Sequence, residues 1–271
     1  MPDDISDIAA FYNASAEYED ARLERHQLEY ALTWRYLREY LPSQGSILEI
    51  GAATGRYTLA LAQHGYHVTA VDLSAAELER CQQRIIEAGL SDHVQCVVAD
   101  ARNLQAVKDM AYDAVLLMGP LYHLIDESDR RLALQEALNR LRPSGIIVSA
   151  FISRFGAIGD LLASLPNWID DQEEVQSLLQ HGKRPDEFPR GGFRGYFVRV
   201  EELAPLHEAL GCTTLVVAGV EPGIGSDDAC YNRLQGQQRQ RWLDLLYAIS
   251  REPAIIGASR HLLYIGRKQA P

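Results

Sequence analysis

The residues able to do chemistry fall between positions 49 and 123. Glu49 is followed by Gly51 and Gly55, Asp72 stands twenty-one residues after Gly51, Asp100 closes a further apolar run, and Tyr122 and His123 follow another. A carboxylate at the end of a strand can accept both hydroxyls of a ribose. A glycine turn beside a helix start lets a ligand approach the backbone closely. A histidine titrating near neutrality can take a proton. This set fits a nucleoside cofactor next to a position where a proton must move.

The elements that place these residues alternate. Ile47, Leu48 and Ile50 form the apolar run of a buried strand, Gly51 and Gly55 bracket a turn, and Tyr57 to Gln63 continues with helical periodicity. A second strand, Tyr66 to Ser74, carries Asp72; a third, His93 to Ala101, carries Asp100; a fourth, Tyr112 to Met118, leads into Gly119-Pro-Leu-Tyr-His-Leu124. Ser74 with Glu77 has the spacing of a capping box for a helix over Ala75 to Ala88. Strand and helix in alternation require a parallel sheet with right-handed crossovers and a ligand at the strands' C-terminal edge. A dinucleotide turn needs G-x-G-x-x-G. Counting from Gly51, Ala53 and Arg56 stand where its second and third glycines belong, so a pyrophosphate site fits poorly.

Glu49-x-Gly51-x-x-x-Gly55 resembles the first motif of class I S-adenosylmethionine (SAM)-dependent methyltransferases, E/D-x-G-x-G-x-G, with Ala53 in place of the middle glycine. Asp72 and Asp100 match the second and third motifs, and Leu141-Arg-Pro-Ser-Gly145 resembles the L-K-P-G-G turn before the fifth strand. The resemblance covers roughly residues 45 to 155. It implies an α/β, Rossmann-like seven-stranded sheet, mostly parallel with the last strand antiparallel, with helices on both faces, an N-terminal helical lid and inserted cap segments. It also implies SAM as cofactor and S-adenosylhomocysteine as product. The cofactor would be held by Glu49, Gly51, Ala52, Ala53, Thr54 and Gly55, by Asp72 with Leu73 at the ribose, by Asp100 with Ala101 at the adenine, by Met118, and by Tyr12 and Tyr18 from the lid. Arg25 and His26 could face the cofactor carboxylate. Amide-nitrogen methylation of bases or glutamine is associated with Asn/Asp-Pro-Pro-Tyr/Phe; Met118-Gly-Pro-Leu-Tyr122 lacks the leading Asn/Asp and the second proline.

At 271 residues the chain accommodates a single domain with insertions: a lid over 1–44, a cofactor-binding core over 45–152, and insertions over 153–200 and 221–256 that would shape an acceptor pocket. In the first insertion Phe155, Trp168, Phe193, Tyr196 and Phe197 could line that pocket, and Arg184, Arg190, Arg194 and Arg199 could hold an acidic acceptor; Arg194 and Tyr196 are the chosen candidates. The net charge of −11 argues against a nucleic-acid partner. The four cysteines have neither disulfide-framework nor zinc spacing, so no metal is expected. No apolar run approaches membrane-spanning length, and the acidic start is unlike a signal peptide, so a cytoplasmic protein is expected. A second copy of the chain is a candidate partner.

SAM carries an activated methyl, so positioning would dominate catalysis. An oxygen or protonated nitrogen acceptor must also lose a proton. His123 is the candidate base, and Tyr122 would fence the methyl. The expectation is methyl transfer to a small molecule at O, N, S or C; the alternatives are a catalytically silent SAM-fold binding protein, an RNA methyltransferase and, more distantly, a nicotinamide dehydrogenase.

Overall fold

A computed structural model describes residues 3–108, 111–184, 194–222 and 228–270, without the side chains of 18–25 and 184. Two helices lead, α1 (Ser6–Arg25) and α2 (Gln27–Tyr40). There follow β1 (Ser46–Ile50), α3 (Arg56–Gln63), β2 (His67–Asp72), α4 (Ala75–Glu87), β3 (Val94–Val98), β4 (Tyr112–Leu117), α5 (Pro120–His123), α6 (Glu127–Arg140) and β5 (Leu141–Ile152). Next come α7 (Ile158–Ser164), a 3-10 turn (Pro166–Asp170), α8 (Gln172–His181) and the two-residue strands β6 (Lys183–Arg184) and β7 (Gly195–Tyr196). Then come α9 (Val200–Glu208), β8 (Cys212–Gly219), α10 (Ala229–Asn232), α11 (Gly236–Ile249), α12 (Pro253–Ala258) and β9 (His261–Lys268).

Seven strands form one sheet in the order β3-β2-β1-β4-β5-β9-β8. The first five are parallel, and β9 inserts antiparallel between β5 and β8. Alternate strand residues supply two cores. Ile47, Ala114, Ile146 and Leu263 pack under α2, α3, α4 and α11, whereas Leu48, Val115, Ile147 and Leu262 pack under α5, α6 and α9. The register has a functional consequence: His261 opens β9 opposite Ile152, and Gly219 closes β8 opposite Leu262. The start of β9 and the exit of β8 therefore lie at the edge where the parallel strands end.

The helix break in the N-terminal segment falls at His26, where the junction is held by tertiary contacts. The His26 carbonyl accepts from Arg56, and the Leu28 amide donates to the Asp228 carboxylate. On α2 the buried stripe is Leu28, Leu32, Tyr36 and Leu37; Tyr30 and Trp34 pack beside it against Tyr57 and His64. The Leu141–Gly145 turn is a bulge within β5, with Ser144 at φ 61° and Arg142 ion-paired to Asp113. Helix α4 is capped as its sequence indicates, the Glu77 amide donating to Ser74 Oγ at 3.2 Å. The segment after β5 buries Ala157, Leu161, Trp168, Val175, Leu178 and Phe197 in a small core of its own.

Candidate functional site

The turn after β1 is shaped by close backbone packing. Gly51 has φ +82°, and a Cβ there would lie 2.7 Å from Pro120 Cδ and 3.2 Å from the Met118 carbonyl oxygen, which brings the exits of β1 and β4 together. Gly55 has φ +85°, and a Cβ would meet Cys81 Sγ at 2.5 Å, so this glycine lets α3 start against α4. Ala53, at the middle position, adopts the left-handed region at φ 48°. The sequence suggests open amides in this turn, but protein groups take four of them. Gly51 and Ala52 donate to the Val71 carbonyl, Gly55 to the Ala52 carbonyl, and Ala53 to Asp72 Oδ2 at 2.8 Å. The turn thus orients Asp72, whose other oxygen accepts from the Ser74 amide at 2.9 Å.

A cavity runs along the strand ends beneath α1. One end carries Asp72, Leu73, Asp100 and Ala101 with Ile5, Ile8 and Leu124; the middle carries Glu49, Gly51, Ala52, Ala53, Met118, Tyr122, His123 and Tyr12; the far end carries His26, Glu29, Arg56, Tyr57, Val220, His261 and Leu263. Thr54 and Gly55 lie behind this wall, with Thr54 held by Arg84. Arg194 and Tyr196 are not brought to the cavity. Arg194 ion-pairs with Asp3 and Asp7, and Tyr196 donates to Glu202 beneath the Arg130 guanidinium. Of the other residues proposed from the first insertion, Trp168 and Phe197 are core, Phe155 faces solvent, and Arg199 pairs with Glu201. The side chains of Tyr18, Arg25 and Arg184, together with Arg190 and Phe193, lie outside the described residues.

Several residues of the site are unmarked in the sequence. Arg102 grips Asp100 through Nε and Nη2 at 2.7–3.1 Å, reaches Asp129 at 2.5 Å and donates to the Asp3 carbonyl, which ties the adjoining N-terminal segment over this end of the cavity. The Tyr12 hydroxyl lies 2.9 Å from His123 Nε2. Glu29 accepts from Tyr57 and Thr33. Burial pushes the Glu49 carboxyl up to about 8, and a 2.6 Å hydrogen bond from Thr58 offsets this only in part.

At the far end, Glu221 is buried and contacts His261, Arg260 and His26. Burial disfavours its charge, but the two histidines and the guanidinium outweigh that and bring it down to about 2. His26, Glu221 and Asp228 place donor atoms within 4.8 Å of one another. Arg260 Nη2 is 3.0 Å from His26 Nδ1 and 3.2 Å from Glu221, so a guanidinium supplies the positive charge of this cluster. The starts of β8's exit loop and of β9 could have signalled these residues, since an antiparallel last strand brings its first residue to the ligand edge.

Residues 47–145 match the family model described as a methyltransferase domain. The chain is 28% identical over 138 residues to the tRNA 5-carboxymethoxyuridine methyltransferase of Escherichia coli, an alignment covering 49% of this chain and 51% of that protein. It thus spans about half the length of the curated relatives it matches. Among solved structures, it superposes on a SAM-dependent methyltransferase from Methanosarcina mazei with a TM-score of 0.61 at 16% identity, over 87% of this chain and 98% of that one. It also superposes on the 1,6-didemethyltoxoflavin-N1-methyltransferase of Burkholderia thailandensis, solved with its substrate and S-adenosylhomocysteine, with a TM-score of 0.60 at 18% identity, over 98% and 88%. The chain has the Rossmann-like fold of these methyltransferases, and residues 47–145 carry the match to a methyltransferase domain.

Proposed function

We propose that the chain transfers a methyl group from SAM to a small molecule bound at the far end of the cavity. The observation that carries this is the cavity's polarity along one continuous cleft. Two oriented carboxylates with apolar walls lie at one end, a buried carboxylate lies in the middle, and a mixed polar and aliphatic chamber lies at the other.

The residues fit SAM on their own chemistry. Asp72, fixed by two amides, would accept the ribose hydroxyls, and Ile5, Ile8, Ala101 and Leu124 would flank the base beside Asp100. Glu29 places a carboxylate on the wall near a cationic centre, while Arg56, stacked on Tyr30, offers a cation for a carboxylate. When bound, SAM supplies a methyl already activated on a sulfonium. The protein's task is then to align the acceptor and exclude water, and alignment can lower a barrier by ~7–11 kcal/mol. Ile5 and, from α1, Ile8 and Tyr12 cover the cleft, and Tyr122 and His123 flank its middle.

The net charge of −11 favours a small acceptor over a polyphosphate chain. The test is calorimetry with SAM and S-adenosylhomocysteine, followed by radiolabelled methyl transfer to a metabolite panel and to bulk tRNA. Micromolar binding and label in the metabolite fraction are expected; no heat with either nucleoside, or label only in tRNA, defeats the reading.

A further inference from the structure

Three histidines line the cavity, and their ring nitrogens have different partners. His123 Nε2 is engaged by the Tyr12 hydroxyl at 2.9 Å. His26 receives Arg260 Nη2 at 3.0 Å from Nδ1 and 3.4 Å from Nε2, and an adjacent guanidinium opposes a second positive charge on that ring. His261 also neighbours Arg260, whose Nε lies 3.4 Å from its Nδ1, but a carboxylate stands nearer. Its Nδ1 lies 2.6 Å from Glu221 Oε2, which also accepts the His261 backbone N–H at 3.1 Å, so one carboxylate oxygen fixes both ring and backbone. With the carboxylate on Nδ1, the neutral ring carries its proton there and its lone pair on Nε2.

We propose that His261, oriented by Glu221, is the base that removes the proton from the methyl acceptor, and hence that the acceptor is a protic nucleophile, a hydroxyl or an ammonium. This rests on the methyltransferase reading above. For a hydroxyl, the oxygen–methyl bond forms as the carbon–sulfur bond breaks, that bond's electrons remain on sulfur, and the hydroxyl proton passes to Nε2. For an ammonium, the proton passes to Nε2 first and frees the lone pair that attacks. The resulting imidazolium is stabilised by Glu221, a positioning residue, and the proton then returns to solvent through the cavity mouth.

The charged groups facing the ring come from every element packed there. Glu221 follows β8, Arg260 precedes β9 and lies 3.4 Å from Nδ1, His26 joins α1 to α2 on the far side of Glu221, and Asp160 of α7 pairs with Arg260. Asp228, before α10, stands near Glu221 with one carboxylate oxygen buried and unpartnered. Asp160 pairs with Arg260 at 3.1 Å, and Glu221, at 2.6 Å, is the nearest charge to His261.

The test uses the full chain with S-adenosylhomocysteine bound and histidine-selective ¹⁵N NMR between pH 5 and 9, with His261 assigned through His261→Asn. The expected result is an Nδ1–H tautomer in the wild type and, in Glu221→Gln, whose side chain can turn either its oxygen or its NH2 to the ring, a mixture of the two tautomers. An Nε2–H tautomer in the wild type, or a tautomer ratio unmoved by Glu221→Gln, overturns the proposal. With labelled SAM and a panel of phenols, alcohols and amines, His261→Asn is expected to lower kcat at least fiftyfold with an S-adenosylhomocysteine Kd within twofold of wild type. A kcat within threefold, or methylation confined to acceptors without an ionisable proton, also overturns it. Failure of the wild type to bind S-adenosylhomocysteine is separately visible and strikes the methyltransferase reading itself.

Discussion

The hydroxyl of Tyr12, on the second turn of the N-terminal helix, lies 2.9 Å from Nε2 of His123, at the end of the short helix after β4. The two rings also meet edge to face at 5.3 Å between centroids. This contact spans the cavity, so the first helix is fastened to the strand ends above the proposed methyl position. Tyr12→Phe keeps the ring and removes one hydrogen bond, worth roughly 1 kcal/mol. S-adenosylhomocysteine affinity is expected to fall about fivefold, mostly through faster dissociation; stopped-flow release with an unchanged rate would show that the helix is not held by this bond.

Glu49 links stability to pH. Burial raises its folded-state pKa from 4.5 to about 8. A raised pKa means that the folded protein holds a proton the unfolded chain releases. The stability contribution is therefore complete below pH 4.5 and is lost as pH climbs through 8. Glu49→Gln mimics the neutral form and is expected to flatten the fall of Tm between pH 6 and 9. A Tm profile identical in both proteins would refute the assignment of this proton to Glu49.

At Ala53 the sign of a substitution follows from two opposing terms. A left-handed backbone costs an alanine roughly 1–2 kcal/mol relative to glycine. Glycine loses roughly 0.4–1 kcal/mol through the greater freedom of the unfolded chain. At φ 48° the first term is larger. Ala53→Gly, which restores the family's middle glycine, is expected to stabilise the protein by up to about 1 kcal/mol in urea titrations. Gly55→Ala is expected to do the reverse by more, because its Cβ would meet Cys81 Sγ at 2.5 Å.

Much of this architecture is legible in the sequence, because strands buried on both faces write themselves as apolar runs and each exit turn carries a glycine or an acid. Ile47 to Gly51, Val68 to Asp72 and Val94 to Asp100 are of this kind, and the antiparallel place of β9 matches what the family resemblance implies. The rest depends on contacts between residues far apart in the chain. Nothing near Arg102 indicates that it will join Asp100, Asp129 and the Asp3 carbonyl, and nothing near Glu221 points to a histidine forty residues later. The first insertion misled for a related reason. Aromatic and basic residues suit a pocket and a self-contained core equally well, and Trp168 and Phe197 went to the core. The cavity's far wall instead uses Val220, His261 and Leu263, at positions that become meaningful only once the strand direction is known.

A buried histidine gives an acid-side prediction that is independent of the cavity. His207 lies under the sheet, stacked on Tyr264 at 3.6 Å, with its ring nitrogens against the Leu203 carbonyl and Ser149 Oγ. Desolvation lowers its pKa from 6.5 to about 4, the Leu203 bond opposing this only in part. The unfolded chain therefore binds a proton that the folded one refuses, and stability declines as pH falls from 6.5 toward 4. His207→Gln, with similar hydrogen-bonding capacity, is expected to lessen that decline, at a cost near neutrality of about 1–2 kcal/mol for the lost ring packing. Urea midpoints compared at pH 5 and pH 7.5 decide it; equal slopes in the two proteins would place the acid-sensitive proton elsewhere.

Arg194 provides the last and most direct test of how the N-terminal segment is held. Its guanidinium, nearly buried, reaches the carboxylates of Asp3 and Asp7 at 2.8 and 2.9 Å and the Asp4 carbonyl. Through Asp3 it joins Arg102, whose other partners are Asp100 and Asp129, so two arginines hold one strap of acids against the cavity. Removing one partner of a pair this enclosed leaves carboxylates facing each other without their cation. In Arg194→Gln, amide hydrogen exchange over residues 3–12 is expected to quicken at least tenfold, and S-adenosylhomocysteine to dissociate three- to tenfold faster, while exchange in β1, β4 and β5 stays as in the wild type. Because Ile5 and Ile8 cover the end proposed for adenosine, both changes should appear together. Faster exchange without faster release would mean that the strap does not retain the ligand, and Arg194 would then serve only to anchor the chain's first turn.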